Sequence, residues 1–112
     1  MRIVFMGTPE FAAYILREVA RLEHEVAGVY TQPDRPQGRK AILTPPPVKQ
    51  LAMELGLPVY QPRRVKSPAA GEQLRDLHPD IILVAAYGQM LSQEILDIPA
   101  FGCVNIHGSL LP

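Results

Sequence analysis

The chain has a single cysteine in 112 residues. One thiol excludes an internal disulfide and fits a reducing compartment. No apolar run reaches the length a membrane-spanning helix needs. The opening Met1-Arg2-Ile3-Val4-Phe5 has no signal-peptide layout, because Gly7-Thr8-Pro9 interrupts it too early. A soluble, cytoplasmic protein is expected on these grounds. Net charge is also lacking: 11 Lys and Arg balance 11 Asp and Glu, which argues against a general nucleic-acid binder. The first strand-to-helix turn lacks the G-x-G-x-x-G pattern, so a dinucleotide site is not expected. The same strand ends Phe5-Met6-Gly7, without the acidic residues a receiver domain would carry there. One cysteine and three dispersed histidines support no metal site. There is no internal repeat, low-complexity tract or linker, and the length allows one domain at most.

What is present is an ordinary hydrophobic fraction, 47%, sufficient for a core, and an uneven spread of charge. Residues 31–68 hold Arg35, Arg39, Lys40, Lys49, Arg63, Arg64 and Lys66 against Asp34 and Glu54, seven basic against two acidic. The rest of the chain is correspondingly acidic. A contact with an anionic partner and a solvated loop with scattered charges both fit that count.

In chain order, residues 2–6 read as a first strand, apolar on both faces as in a covered parallel sheet. Thr8 is placed to cap the next helix, with Pro9 at its first position and Glu10 near its positive end. Phe11, Ile15, Leu16, Val19 and Leu22 recur at helical spacing and predict one buried face. Residues 26–30 form a second strand, followed by a long proline-bearing loop to about Pro46. Loops of that length are often functional. Val48, Leu51, Ala52 and Leu55 mark a second helix, ended by Gly56. Pro58-Val59-Tyr60 is a short third strand. Ser67 caps a third helix with Pro68 in its first turn, and Leu74 and Leu77 face the core. His24 and His78 follow helix ends and read as surface residues. Residues 81–86, Ile-Ile-Leu-Val-Ala-Ala, give the strongest strand signal and are expected at the sheet centre. Ser92 starts a short helix through Leu96, and Gly102-Cys103-Val104 opens a final, buried strand.

That order, βαβαβαβαβ, predicts an α/β fold: a doubly wound, mostly parallel sheet. With strand order 3-2-1-4-5 the switch point falls between the first and fourth strands. Ligands then bind at the carboxyl ends, near Gly7-Thr8, Tyr87-Gly88 and His107. Along the last strand, alternation puts Val104 and Ile106 on one face and Cys103, Asn105 and His107 on the other. An amide and an imidazole about 7 Å apart make a plausible reaction centre. The amide can donate to a developing oxyanion and the imidazole can move a proton near neutral pH.

Asn105-Ile106-His107-Gly108-Ser109-Leu110-Leu111-Pro112 resembles the signature of the folate-dependent formyltransferases. Met6-Gly7-Thr8-Pro9-Glu10-Phe11, Thr31-Gln32-Pro33-Asp34-Arg35-Pro36, Gly38-Arg39 and Ala86-Tyr87-Gly88 match as well, in the right order. Together they look like the branch of that family acting on initiator methionyl-tRNA. The resemblance implies a Rossmann-like formyltransferase fold, cut after its fifth strand. It implies 10-formyltetrahydrofolate as co-substrate and no metal or membrane. Asn105 and His107 would be catalytic. Tyr87, Gly88, Met90 and Leu91 would hold the pterin ring, largely through backbone groups, and Ser109, Leu110, Leu111 and Pro112 would complete the folate site. Arg35, Arg39 and Lys40 would meet the tRNA acceptor stem.

The same resemblance implies a third catalytic residue, an Asp that orients the histidine, together with further strands and a tRNA-binding domain, all beyond Pro112. Residues 1–112 are therefore expected to be the amino-terminal part of a catalytic domain from a monomeric enzyme, nearly inactive alone and prone to self-association through an exposed sheet edge. Two alternatives stand beside this reading. One is a sister formyltransferase acting on glycinamide ribonucleotide or an amino sugar nucleotide. The loop of residues 31–49 and Gly108 after the histidine favour tRNA over these. The other is a non-catalytic folate-binding remnant.

Overall fold

The computed structural model of the protein describes residues 1–107. The turn expected at Gly108-Ser109, and the folate positions Ser109, Leu110, Leu111 and Pro112, lie outside the described residues. β1 (Arg2–Gly7) is the middle strand of a five-stranded sheet in which every pairing is parallel. Ile3 and Phe5 join the core on one face of the sheet, Val4 and Met6 the core on the other. A strand covered on both sides must be apolar at every position, which is why Ile3-Val4-Phe5-Met6 shows no alternation. α1 (Glu10–Ala20) and α2 (Pro47–Glu54) cover the first face. α3 (Pro68–Asp76) and α4 (Gln93–Leu96) cover the second.

The strand order is β5 (Val59–Tyr60), β2 (Glu25–Tyr30), β1, β6 (Ile81–Ala85), β7 (Cys103–Asn105). This is the 3-2-1-4-5 arrangement of a doubly wound sheet. The chain winds outward from β1 through β2 to β5 across the α1/α2 face, then returns to β6 and β7 across the other. The switch point therefore lies between β1 and β6. At β1's exit the backbone packs too closely for any side chain: a Cβ on Gly7 would lie 2.7 Å from the Ala85 carbonyl oxygen and from the Ala12 Cβ.

Several local expectations change. Thr8 does not cap α1. Pro9 holds the N-cap position without a side-chain bond, and the Thr8 hydroxyl is committed elsewhere. α1 stops at Ala20, so Leu22 lies past the helical face and is exposed. Leu55, the C-cap of α2, is exposed as well. β1, not β6, is central; β6 has one neighbour fewer between it and the edge. β7 is an edge strand, and Val104 is 45% exposed rather than buried. The loop of residues 31–46 contains a β-hairpin, β3 (Arg35–Gln37) and β4 (Ile42–Thr44), paired antiparallel. Its strands are too short, and too exposed on both faces, to leave a hydrophobic pattern. Other expectations hold: Ser67 caps α3 by accepting from Ala70 N, Ser92 caps α4 by accepting from Ile95 N, and Gly56 ends α2 with φ of 70°. His78 is exposed and takes the left-handed backbone just past α3.

Candidate active site

The registers place one residue from each strand of the sheet in a single row: Tyr60, Tyr30, Met6, Val84 and Asn105. Tyr60, Tyr30, Met6 and Val84 all belong to the core beneath α3 and α4. Asn105 ends that row, so its side chain shares their face. Cys103, two residues earlier, packs on the same core, and Ile106 packs on the opposite one. The expected alternation along β7 is thus followed. Beyond this row begins the carboxyl edge, where Gln61, Gln32, Thr8 and the loop after β6 lie. His107 follows Asn105 by two residues, just past Ile106, whose N–H donates to the Val84 carbonyl at 2.7 Å. Both Asn105 and His107 are exposed. Partial burial of Cys103 raises its thiol pKa, which disfavours the thiolate.

The loops along this edge are tied together by side chains. Thr8 Oγ1 donates to the Tyr87 carbonyl at 2.7 Å, bridging the switch point, and accepts from Gln32 N at 3.4 Å. Gln32 Nε2 donates to the Gly88 carbonyl at 2.9 Å. Gln89 Nε2 donates to Gln32 Oε1 at 2.9 Å and to the Pro62 carbonyl at 3.0 Å, while Gln89 Oε1 accepts from Val65 N at 2.7 Å. Gln61 Nε2 reaches the Gln32 carbonyl at 3.1 Å and Asp34 Oδ1 at 2.7 Å. Lys49 Nζ closes the chain on Asp34 at 3.1 Å. The hydrogen bond from Gln61, then that from Lys49, holds the Asp34 carboxyl below the usual carboxylate range.

The loop after β6 is strained in the way such sites often are. Ala86 has φ of 52° and Gly88 φ of 96°. A Cβ on Gly88 would also come within 2.7 Å of Gln32 Nε2. The Tyr87 ring is buried in the core, and burial raises its phenol pKa. The ring is therefore a buttress, and its carbonyl is already bonded to Thr8. Met90, by contrast, is 79% exposed, and Leu91 is half-buried beside it in sequence. These two offer an apolar wall of the kind a flat heterocycle needs.

Arg35 lies on β3, and Arg39 and Lys40 lie in the turn of residues 38–41; all three are exposed. None forms an ion pair among the described residues. β3 and β4 pair only with each other, so the hairpin is an appendage on the carboxyl edge. A cleft of about 250 Å³ opens at its base, lined by Thr8, Gln32, Arg35 and four prolines among others. The structure thus places Asn105, the loop of residues 87–91 and the hairpin at the carboxyl ends of the parallel strands, with His107 two residues beyond Asn105. Gln61 and Gln89 were not among the residues expected to matter, Gln32 was noticed only as part of a motif, and Lys49 only as one of the basic residues of the segment 31–68. Three glutamines, each a few residues past a strand end, were the available signal. No cluster of three or more potential metal-ligating side chains occurs among the described residues.

Comparison with solved structures gives the class first. Glycinamide ribonucleotide transformylase 1 from Geobacillus kaustophilus superposes with a TM-score of 0.62 at 24% identity, over 99% of this chain and 60% of that one. The enzyme of the same name from Symbiobacterium toebii gives 0.64 at 20% identity, over 100% and 53%. At such identities the likeness speaks for the α/β fold alone. Sequence then fixes the family: the formyl transferase family model matches residues 1–112, and the chain belongs to that family. A methionyl-tRNA formyltransferase of Stenotrophomonas maltophilia strain K279a is 59% identical over 112 residues, 100% of this chain and 36% of that protein. That of Bacillus subtilis strain 168 is 54% identical over 111 residues, 99% and 35%. The chain spans about a third of the length of these relatives.

Proposed function

We propose that residues 1–112 are the amino-terminal part of an enzyme that moves a formyl group from 10-formyltetrahydrofolate to the amino group of initiator methionyl-tRNA, in support of translation initiation. The observation that supports this reading is that Asn105, the loop of residues 87–91 and the basic hairpin all follow the carboxyl ends of strands of one parallel sheet. Its relatives' names agree with it over the whole chain. The folate supplies an activated formyl carbon. Asn105, fixed at the end of the Met6–Val84 row, donates to the formyl oxygen as negative charge develops there. The amine would add to the formyl carbon to give a tetrahedral oxyanion, whose collapse would break the bond to the folate nitrogen. His107 takes the proton from the amine and returns it to that nitrogen. Met90 and Leu91 wall the pterin, with the remaining folate contacts made by Gly88 and by residues 109–112. Arg39, helped by Arg35 and Lys40, meets the acceptor stem.

The test is formylation of charged initiator methionyl-tRNA by the complete gene product, with glycinamide ribonucleotide and an amino sugar nucleotide as competing amines. Transfer to methionyl-tRNA is expected. In the same protein, Arg39→Ala raises KM for the tRNA, and the dependence of log affinity on log salt flattens by about 0.9 for one lost phosphate contact. Transfer only to a small amine, or folate binding with no transfer, overturns the assignment. The 112-residue chain alone is expected to turn over far more slowly than the complete product, because an imidazole without its orienting acid loses tautomer and position.

A further inference from the structure

We propose that Gln32 and Gln89 form a positioning link between the folate loop and the basic hairpin, through which each substrate raises the protein's affinity for the other. The inference rests on the formyl-transfer reading above. Its basis is that the polarity of the link is fixed. Pro62 offers Gln89 only a carbonyl and Val65 only an N–H. Gln89 must therefore present its amide nitrogen to Gln32. Gln32 must answer with Oε1, which leaves Nε2 for Gly88, whose carbonyl can only accept. No amide in the chain can flip without breaking bonds at both ends, so the network is held or lost as a unit.

The link also joins the two regions the substrates would occupy. Gln32 stands two residues before Asp34, where Gln61 and Lys49 pin the base of the hairpin. Its side chain lies directly on Gly88, so close that even a methyl group there would collide with it. Its own backbone is tied on both sides, N to Thr8 and O to Gln61. A nucleic acid that orders the hairpin therefore orders Gln32, and with it the loop presenting Met90 and Leu91. Ligands that pay parts of one ordering cost bind with positive cooperativity, and the coupling is reciprocal.

The experiment uses the complete gene product, with tetrahydrofolate and uncharged initiator tRNA as the two ligands. In the wild type, saturating tRNA is expected to lower the Kd for tetrahydrofolate about fivefold or more, and tetrahydrofolate to lower the Kd for tRNA by the same factor. Gln32→Glu keeps the shape but replaces the donor facing Gly88 with an acceptor. Whatever the change in each ligand's own affinity, the coupling factor, read as the ratio of one ligand's Kd without and with the other, is expected to fall toward one. Gln89→Glu, which cannot donate to Pro62, is expected to do the same. A merely structural role would lower the melting temperature or both affinities and leave the factor unchanged. A factor near one in the wild type overturns the proposal without any variant, as does an undiminished factor in a folded Gln32→Glu protein. Absence of formyl transfer by the wild type overturns the functional reading and this inference with it; transfer with a factor near one overturns the inference alone.

Discussion

Tyr87 carries a motif position but spends its ring in the core, where its hydroxyl has no hydrogen-bond partner among the described residues. Removing such a hydroxyl restores no water contact and breaks no bond. Tyr87→Phe is therefore expected to leave stability at neutral pH unchanged or raised by about 1 kcal/mol. The pH dependence has a definite sign. Burial raises the phenol pKa of both Tyr87 and Tyr30 in the folded protein, Tyr30 also through its neighbours Tyr60 and Tyr87. The native state then holds protons that the unfolded chain releases. The resulting stability is complete below the ordinary tyrosine value of about 10 and is lost as pH rises above it. Tyr87→Phe should flatten that alkaline decline, with Tyr30 keeping the remainder. Urea unfolding at neutral and alkaline pH checks both parts. A loss well above 1 kcal/mol at neutral pH would mean the hydroxyl has a partner. At this scale the sequence shows which residues carry chemistry but not where each atom points. Tyr87 and Gly88 were legible as a motif, whereas the burial of the Tyr87 ring depends on α3 and α4 closing over it. Thr8 likewise had the right type and place for a cap, but a loop 79 positions away took its hydroxyl.

The hairpin is the element that local pattern could not reveal. β3 and β4 have three residues each, Pro36 sits inside β3, and Ile42 and Leu43 are exposed. A ribbon with no buried face has no period to read, and proline is tolerated because neither strand is internal to a sheet. What makes it an element is its anchor. Gln61 and then Lys49 hold the Asp34 carboxyl below its ordinary pKa, so the anchor is present above about pH 4 and is lost as pH falls through the lowered value. A carbon-detected titration of the Asp34 carboxyl is expected to show a midpoint below the ordinary aspartate value, moving back up toward it in Gln61→Ala/Lys49→Ala. A midpoint at the ordinary value in the wild type would mean that the carboxylate is not held. The helices were far more legible, because Ser67 and Ser92 act on backbone groups three residues away and need no tertiary partner. α1's end was not: the apolar spacing runs on to Leu22, but the helix has already stopped at Ala20.

For the molecule as a whole, strand order was legible because handedness and crossover length leave a βα chain few choices. Which strand lies at the centre depends on the full sheet, and strong apolar character in β6 was a poor guide to it. The two edges differ in a way that bears on behaviour in solution. β5 has two residues, with Pro58 directly before it and Pro62 two residues after it, and the Pro58 and Tyr60 carbonyls accept from Val29 N and Thr31 N. Little backbone is left to pair outward. On β7, Gly102 O and Ile106 N bond to β6. In a parallel strand alternate residues face opposite neighbours, so the N–H and C=O groups of Cys103 and Asn105 point off the edge. Val104 adds an exposed apolar side chain between them. Such an edge is a template for another strand. The 112-residue chain is therefore expected to self-associate. Val104→Lys in the short chain should shift it toward monomer, since charge on an edge opposes pairing. Light scattering over a concentration series decides this. A monodisperse short chain at high concentration would mean that β7 is protected despite its open backbone. Association unchanged by Val104→Lys would place the contact elsewhere, with the exposed hairpin residues Ile42 and Leu43 the next surface to substitute.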